Sequence, residues 1–297
     1  MNNEIKSIVK QVTDKIIIDM EKNDGKWLKG WVNHKFQNIE GHRYSGFNIL
    51  WLALQPFKRG IYGTYLQWQK EGCQVKKGSK ATKLLLYRPY IKDVTNKAGE
   101  VEQKTFNLLR TFNVFNIENV KGNIVKWDGV DNFNGINEVK KSINADNFVK
   151  NLKANIEHSG GVACFIPSKD LIKMPEQKDF INTNDSTATE NYYCTLFHEL
   201  THWTGADNRL KRSLSGSFGS SSYAFEELVA ELGSAYVSNK LDITASPRPD
   251  HAKYLKNWIK CLKDKPEALL RASGLANKAL MFMNNKQPIK EVFKNVA

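Results

Sequence analysis

Apolar residues recur at helical spacing from the start of the chain. Ile5, Ile8, Val9, Val12, Ile16 and Met20 fall on one stripe, which predicts an amphipathic helix over residues 3 to 22. A turn-rich, aromatic stretch follows, holding Trp27, Trp31, Phe36, Tyr44, Phe47 and Trp51, then Tyr62, Tyr65, Trp68 and a turn at Gly72. The pattern next becomes strand-like at Leu84 to Tyr87 and Thr111 to Ile117, on either side of a hydrophilic hairpin around Asn96 to Glu102. Residues 1 to 122 therefore read as one small mixed α/β domain. From Asn123 to Asn147 the composition shifts to Asn, Gly, Asp and Lys, which predicts a linker.

A second domain is expected over residues 148 to 297. It opens with a helix from Phe148 to Ile156, followed between Gly160 and Met174 by two short strands joined by a turn. Two strongly apolar helices come next. Tyr192, Tyr193, Thr195, Leu196, Phe197 and Leu200 make the first a helix buried on most sides. Phe225, Leu228, Val229, Leu232, Ala235 and Tyr236 recur at helical spacing in the second. The whole reads as an α+β protein of two domains.

The first of these helices carries Leu196-Phe197-His198-Glu199-Leu200-Thr201-His202-Trp203. Two histidines and a glutamate are costly to bury unless something compensates them. Residues four apart share a helix face, so His198 and His202 can direct both imidazoles at one metal ion. Glu199, one step round, can take a proton from metal-bound water, whose pKa a zinc ion lowers to about 7. The extended H-E-x-x-H-x-x-G-x-x-H pattern holds through Gly205 but ends at Asn208, a poor zinc ligand. The third ligand is instead expected on the second helix, where Glu227 and Glu231 stand one turn apart. Glu227 is assigned as ligand and Glu231 as the carboxylate that orients a histidine through its other ring nitrogen. Glu226 points about a hundred degrees away and is the weaker candidate. Tyr223, Arg209 and His251 are unranked candidates for stabilising an oxyanion. Zinc suits this ligand set best, with manganese as the alternative.

Composition adds a partner and a compartment. The four cysteines, Cys73, Cys164, Cys194 and Cys261, are spread singly, which argues against a disulfide framework or a cysteine metal site and fits the reducing cytoplasm. Cys194 precedes His198 by one helical turn and reads as a small buried hydrophobe. Charges run through the position where a signal peptide would have its apolar core, and no apolar run is long enough for a membrane span. A net charge of +13 favours a polyanionic partner. Aromatics interleaved with lysines suit single-stranded nucleic acid, whose bases stack on exposed rings while ammonium groups follow the phosphates. Tyr44, Trp51, Tyr65, Trp68, Lys76, Lys77 and Lys80 are candidates for that role. The competing reading of the same residues is a set of core rings beside a solvated lysine hairpin.

Several segments together resemble a known family. They are Arg43-Tyr-Ser-Gly-Phe-Asn48, Gly72-Cys-Gln-Val-Lys-Lys-Gly78-Ser-Lys80 and Thr111-Phe-Asn-Val-Phe-Asn116 in the first half. In the second they are Leu196-Phe-His-Glu-Leu-Thr-His-Trp-Thr-Gly205, Phe225-Glu-Glu-Leu-Val-Ala-Glu-Leu-Gly233 and Tyr254-Leu-Lys-Asn-Trp-Ile259. Across nearly its whole length the chain resembles the ArdC-type antirestriction proteins of conjugative plasmids and other mobile elements. The resemblance implies an N-terminal single-stranded DNA-binding domain, with Arg43 and Asn48 added to its candidate contacts. It also implies a C-terminal zincin-like metallopeptidase domain that acts on an unidentified protein substrate. Such a protein would meet incoming single-stranded DNA and protect it from host restriction. Two other classes stay open: a DNA-binding protector with a vestigial metal site, and a metal-dependent hydrolase of a non-peptide bond.

Overall fold

The structure is a computed structural model that describes residues 3–22, 35–95, 101–130, 138–183, 186–214, 220–243 and 251–288. The chain forms two compact units, Met1–Val12 with His34–Asp131, and Thr13–Asn33 with Asn132–Ala297. Helix α1 (Asn3–Lys22) follows the predicted stripe, with Ile5, Ile8, Val9, Val12, Ile16 and Met20 all buried. Its residues from Thr13 onward group with the second unit rather than with the N-terminal domain expected over 1 to 122. Thr13 Oγ1 donates to Pro266 O at 3.1 Å, and Lys263 pairs with Glu21 at 2.7 Å.

The first unit is built on a four-stranded sheet in the order β1-β2-β5-β4, from β1 (Gln37–Asn38), β2 (Ile61–Gly63), β4 (Thr82–Thr95) and β5 (Val101–Asn116). β1 and β2 are parallel and the other pairs antiparallel. β4 and β5 pair from Thr82↔Val114 to Thr95↔Val101, well past the predicted Leu84 to Tyr87. A two-stranded ribbon has no buried face to enforce alternation, and Leu86, Tyr87 and Ile91 are indeed exposed. Two short helices were not anticipated, α2 (Phe47–Ala53) and α3 (Tyr65–Lys70). The second carries a legible start signal, since Thr64 and Gln67 form a capping box. β3 (Gln74–Val75) pairs with β6 (Val120–Lys121). The small core joins Ile61, Trp68, Cys73, Ile117, Val120 and Trp127. Trp127 lies in the stretch expected as a linker. It is buried instead, with its indole donating to Ile39 O at 3.0 Å and its ring edge-on to Trp68.

In the second unit, α4 (Glu138–Leu152) begins well before the expected Phe148 and stops at Leu152. Lys153 takes a left-handed φ of 54°, and Asn155–His158 is strand β7 rather than more helix. The sheet order is β7-β9-β8, with β9 (Leu171–Met174) central, parallel to β7, and antiparallel to β8 (Cys164–Ile166). β8 and β9 are the two predicted strands, joined through a 3₁₀ turn at Pro167–Lys169 and a left-handed Asp170. The described residues of the unit also form helices α5 (Ala188–Thr204), α6 (Ser221–Lys240), α7 (His251–Asp264) and α8 (Glu267–Asn284). Thr187 and Glu190 form a capping box at the start of α5, and Ser220 caps α6 by accepting from Tyr223 N. Phe148, Ile172, Met174, Phe197, Leu200, Val237 and Met283 meet in one core, and full burial of a side chain such as Phe197 or Leu200 contributes about 1.5–3 kcal/mol. Where α5 and α6 pack, a Cβ on Gly233 would stand 2.4 Å from Thr201 Cγ2, so only a hydrogen fits. Among the described residues, no helix is long and apolar enough to cross a membrane.

Candidate metal centre

That close helix contact brings His198 and His202 of α5 against Glu227 of α6. The two Nε2 atoms are 3.1 Å apart. Glu227 Oε1 lies 3.4 Å from His202 Nε2, and Oε2 lies 3.5 Å from His198 Nε2. A tetrahedral ion with bonds of about 2.0–2.1 Å needs its ligand atoms about 3.3–3.5 Å from one another. The two imidazoles and the carboxylate thus form a triangle of groups spaced close to the ligand separations of one such ion, with Glu227 turning Oε1 to His202 and Oε2 to His198. Among the described residues, these three form the group able to hold a metal ion.

The surroundings orient the triangle. His198 Nδ1 lies 2.9 Å from Glu231 Oε1, and His202 Nδ1 lies 3.3 Å from Glu226 Oε1. Glu226 also accepts from Arg212 Nη2 at 2.9 Å, a contact the sequence did not announce. Glu199 is buried, and its Oε2 accepts the Phe165 N–H of β8 at 2.9 Å, which tethers the carboxylate to the edge strand. A cavity of ≈ 340 Å³ opens on the triangle, lined by Cys164, Phe165, Glu199, Leu214 and Tyr223 among others.

Electrostatics tie these groups together. Burial alone would lower the pKa of His202, but hydrogen bonds with Glu226 and Glu227 outweigh it and raise the value to about 10. Burial would raise Glu227, yet hydrogen bonds from His198 and His202 hold it far below the usual carboxylate range. In protein stripped of metal, the raised His202 stabilises the fold fully below its ordinary 6.5 and loses that contribution as pH climbs toward about 10. The depressed Glu227 contributes above its ordinary 4.5 and loses its share as pH falls below that. These are two sides of one ion pair and count once. The metal-free melting temperature is thus expected to be highest between about 4.5 and 6.5 and to fall on both sides. Thermal melts across that range check it, and a flat profile up to about pH 10 would refute the pairing.

The other sequence-derived candidates fall in varied places. Asn208 is exposed and stands outside the ligand group. Arg209 does not line the cavity. Its guanidinium donates to Trp203 O at 2.6 Å, pairs with Asp170 and lies 4.1 Å over the Trp203 ring, so it is committed to bracing the end of α5. Tyr223 does line the cavity, one turn before Glu227. The His251 side chain falls outside the described residues, as do Trp27 and Trp31. Cys194 is a buried core residue, with its Sγ 3.5 Å from Ser238 Oγ. Burial and the nearby Glu199 charge push the Cys164 thiol up.

In the first unit, two proposed DNA contacts need correction. Trp68 is 0% exposed, with its indole donating to Phe115 O at 3.0 Å, so it has no face to offer a base. Asn48 donates to Leu85 O and accepts from Leu85 N, both at 2.8 Å, so its amide caps the open edge of β4. Tyr44 is half-buried and edge-on to Tyr62, and burial pushes its hydroxyl far up. Trp51 is half-buried as well. Arg43, Tyr65, Lys76, Lys77 and Lys80 are exposed, although Lys76 Nζ also donates to Glu118 O at 2.7 Å.

Two histidines and a glutamate on packed helices, with a second glutamate beside them and an edge strand at the cavity, define a zincin-like metal-site protein. The family model described as a zincin-like metallopeptidase matches residues 143–275, and that of the N-terminal domain of anti-restriction factor ArdC matches residues 6–115. The crystal structure of the antirestriction ArdC protein from the R388 plasmid, in its metal-free form, superposes with a TM-score of 0.71. It is 29% identical and covers 94% of this chain and 97% of its own. Its Mn(II)-bound structure gives a TM-score of 0.69 at 28% identity, with the same coverage. The uncharacterized protein y4eC of Sinorhizobium fredii is 31% identical over 94% of this chain and 92% of its own length. Two DNA primases TraC of Escherichia coli are 31% and 30% identical, and the chain spans 19% and 26% of their respective lengths. The chain belongs to the ArdC-type antirestriction family, and its zincin-like domain implies a divalent metal.

Proposed function

We propose that this protein is a cytoplasmic antirestriction factor of a mobile element that binds single-stranded DNA through its N-terminal domain and hydrolyses peptide bonds at a zinc site held by His198, His202 and Glu227. The observation that carries the peptidase reading is the ligand triangle with a tethered Glu199 beside it, facing one cavity. A bound zinc ion would supply Lewis acidity, polarising a carbonyl and easing the ionisation of water. Glu199 takes the proton from the attacking water and returns it to the leaving amine. The Phe165 N–H holds one carboxylate oxygen and so sets the direction of the other. β8, at the edge of its sheet, flanks the cavity an extended peptide would enter, with its Phe165 N–H committed to Glu199, and of the three oxyanion candidates Tyr223 is the one that lines that cavity.

The DNA-binding reading rests on the ArdC-type N-terminal domain and on the exposed residues Arg43, Tyr65, Lys76, Lys77 and Lys80 in a chain of net charge +13. Affinity for a single strand is expected to fall steeply with salt, and the log–log slope should shrink by about 0.7 for each of Lys76 and Lys77 replaced by alanine. Unchanged slopes would remove those two lysines from the interface. The peptidase is tested by incubating the metal-loaded full chain with an unfolded protein, with and without chelator and single-stranded DNA. Cleavage that chelator abolishes supports the reading. No cleavage despite bound metal would overturn it in favour of a DNA-binding protector.

A further inference from the structure

Three carboxylates of α6 converge on two histidines of α5, and one of them is fixed by a buried cation from the loop between the helices. Glu226 Oε1 is shared: it stands 3.3 Å from His202 Nδ1 and accepts from Arg212 Nη2 at 2.9 Å. Arg212 is buried at 8% exposure. Its Nε also donates to both Glu226 oxygens at 3.2 Å, and it reaches the last turn of α5 with Nη1 to Thr204 Oγ1 at 2.9 Å and Nη2 to Thr201 O at 2.6 Å. The result is a continuous chain from helix backbone through guanidinium and carboxylate to a ligand imidazole.

The loop is shaped to deliver that side chain. After α5 the backbone folds back on itself, with Leu210 N donating to Thr204 O at 3.0 Å and Arg212 N to Gly205 O at 2.8 Å. Lys211, immediately before Arg212, sits at φ 50°, a left-handed conformation that residues with a side chain adopt uncommonly. Gly205 has an ordinary helical φ of −79°, so conformational freedom does not explain it. A Cβ there would stand 2.8 Å from Arg212 Nη2, so the glycine after H-E-x-x-H-x-x leaves room for the guanidinium.

Building on the metal-site reading above, we propose that Glu226 and Arg212 are positioning residues for the metal: Glu226 accepts from His202 Nδ1–H, fixing the tautomer that turns Nε2 toward the ion, and Arg212 fixes Glu226. Glu231 Oε1 lies 2.9 Å from His198 Nδ1. Each histidine thereby has its own carboxylate behind it, an arrangement whose loss elsewhere weakens metal affinity by about 10–100-fold. A buried ion pair that served only to join loop and helix would be replaceable by apolar side chains of similar volume with metal affinity unchanged. One that orients a ligand would not.

That contrast gives the test. Metal-stripped full-length protein is titrated with cobalt(II) against a competing chelator while the visible absorption spectrum is recorded, for wild type and for the double variant Arg212→Met/Glu226→Met. The double variant is expected to stay folded when metal-free, to bind cobalt about 10–100-fold more weakly and to show an altered spectrum. Wild-type affinity and spectrum in the folded double variant would overturn the proposal. Should that variant not fold, Glu226→Gln decides on the same two readouts, because it keeps the shape while losing the charge-assisted hydrogen bond. A several-fold loss of affinity with a changed spectrum supports the proposal, and unchanged values overturn it. Wild-type protein that takes up no cobalt would overturn the metal-site reading itself, an outcome separate from equal binding by wild type and variant.

Discussion

Glu199→Gln is expected to lower peptide cleavage by about 10²–10⁴-fold, the range usual for loss of a general acid–base, while metal content stays at the wild-type level. Glutamine keeps the size of the side chain and an oxygen able to accept the Phe165 N–H, now 2.9 Å from the carboxylate. What it lacks is a basic oxygen. Because Glu199 stands outside the His198–His202–Glu227 group, its replacement should leave the ligand set untouched. Metal analysis and cleavage rates on the same preparation separate the two effects. A variant that cleaves as fast as wild type would remove Glu199 from the chemistry, and one that loses its metal would show that the site tolerates no change at this position.

The second large effect concerns packing. Gly→Ala inside a helix ordinarily stabilises it by up to about 1 kcal/mol, because glycine is the poorer helix former. At Gly233 the sign should reverse. The new methyl would meet Thr201 Cγ2 at 2.4 Å and Oγ1 at 2.5 Å, and overpacking of this kind costs roughly 1–3 kcal/mol. Spreading α5 from α6 also lengthens the distances from Glu227 to the histidines, so metal affinity should fall with stability. Gly274 is the internal control. It is exposed on α8 with nothing within 4 Å of a Cβ, and its change to alanine should be neutral or stabilising. Thermal melts of the two variants, with Thr201→Ala added to Gly233→Ala as a partial rescue, decide the matter. Equal behaviour of the two glycines would refute the tight α5–α6 contact.

The contrast between these two sites shows what could be read in advance. The histidines and Glu199 were legible because ionisable groups on an apolar helix are too costly to bury unless a metal ion compensates them. Glu227 and Glu231 were legible by helical spacing once a third ligand was required. Glu226 was set aside because its angle is wrong for a ligand, yet that same angle carries it to the far side of His202. Arg212 lies in a polar loop where nothing local distinguishes a buried cation from a solvated one. In the fold, amphipathicity gave α1 its buried stripe but could not say what would cover it, and residues from Thr13 group with the second unit. The helix expected to run to Ile156 ends sooner because Lys153 adopts a left-handed conformation, which no pattern of apolar residues encodes. Aromatics were the least legible: the exposure of Tyr65 and the burial of Trp68, three residues apart on one short helix, depend on which face of α3 meets the sheet.

The tether between Phe165 and Glu199 also limits how this chain can vary in length. β8 is only three residues long and pairs Phe165 with Ile172 across β9. Successive residues of a strand present their amides to opposite edges, so slipping β8 by a single position would turn the Phe165 N–H inward and leave the carboxylate without its anchor. An insertion before Cys164 can be absorbed where the chain enters the strand. One added residue in the turn from Pro167 to Asp170 cannot, because it shifts the register of the whole edge at once. Insertions and deletions in homologous chains should therefore gather ahead of this strand and spare the turn behind it.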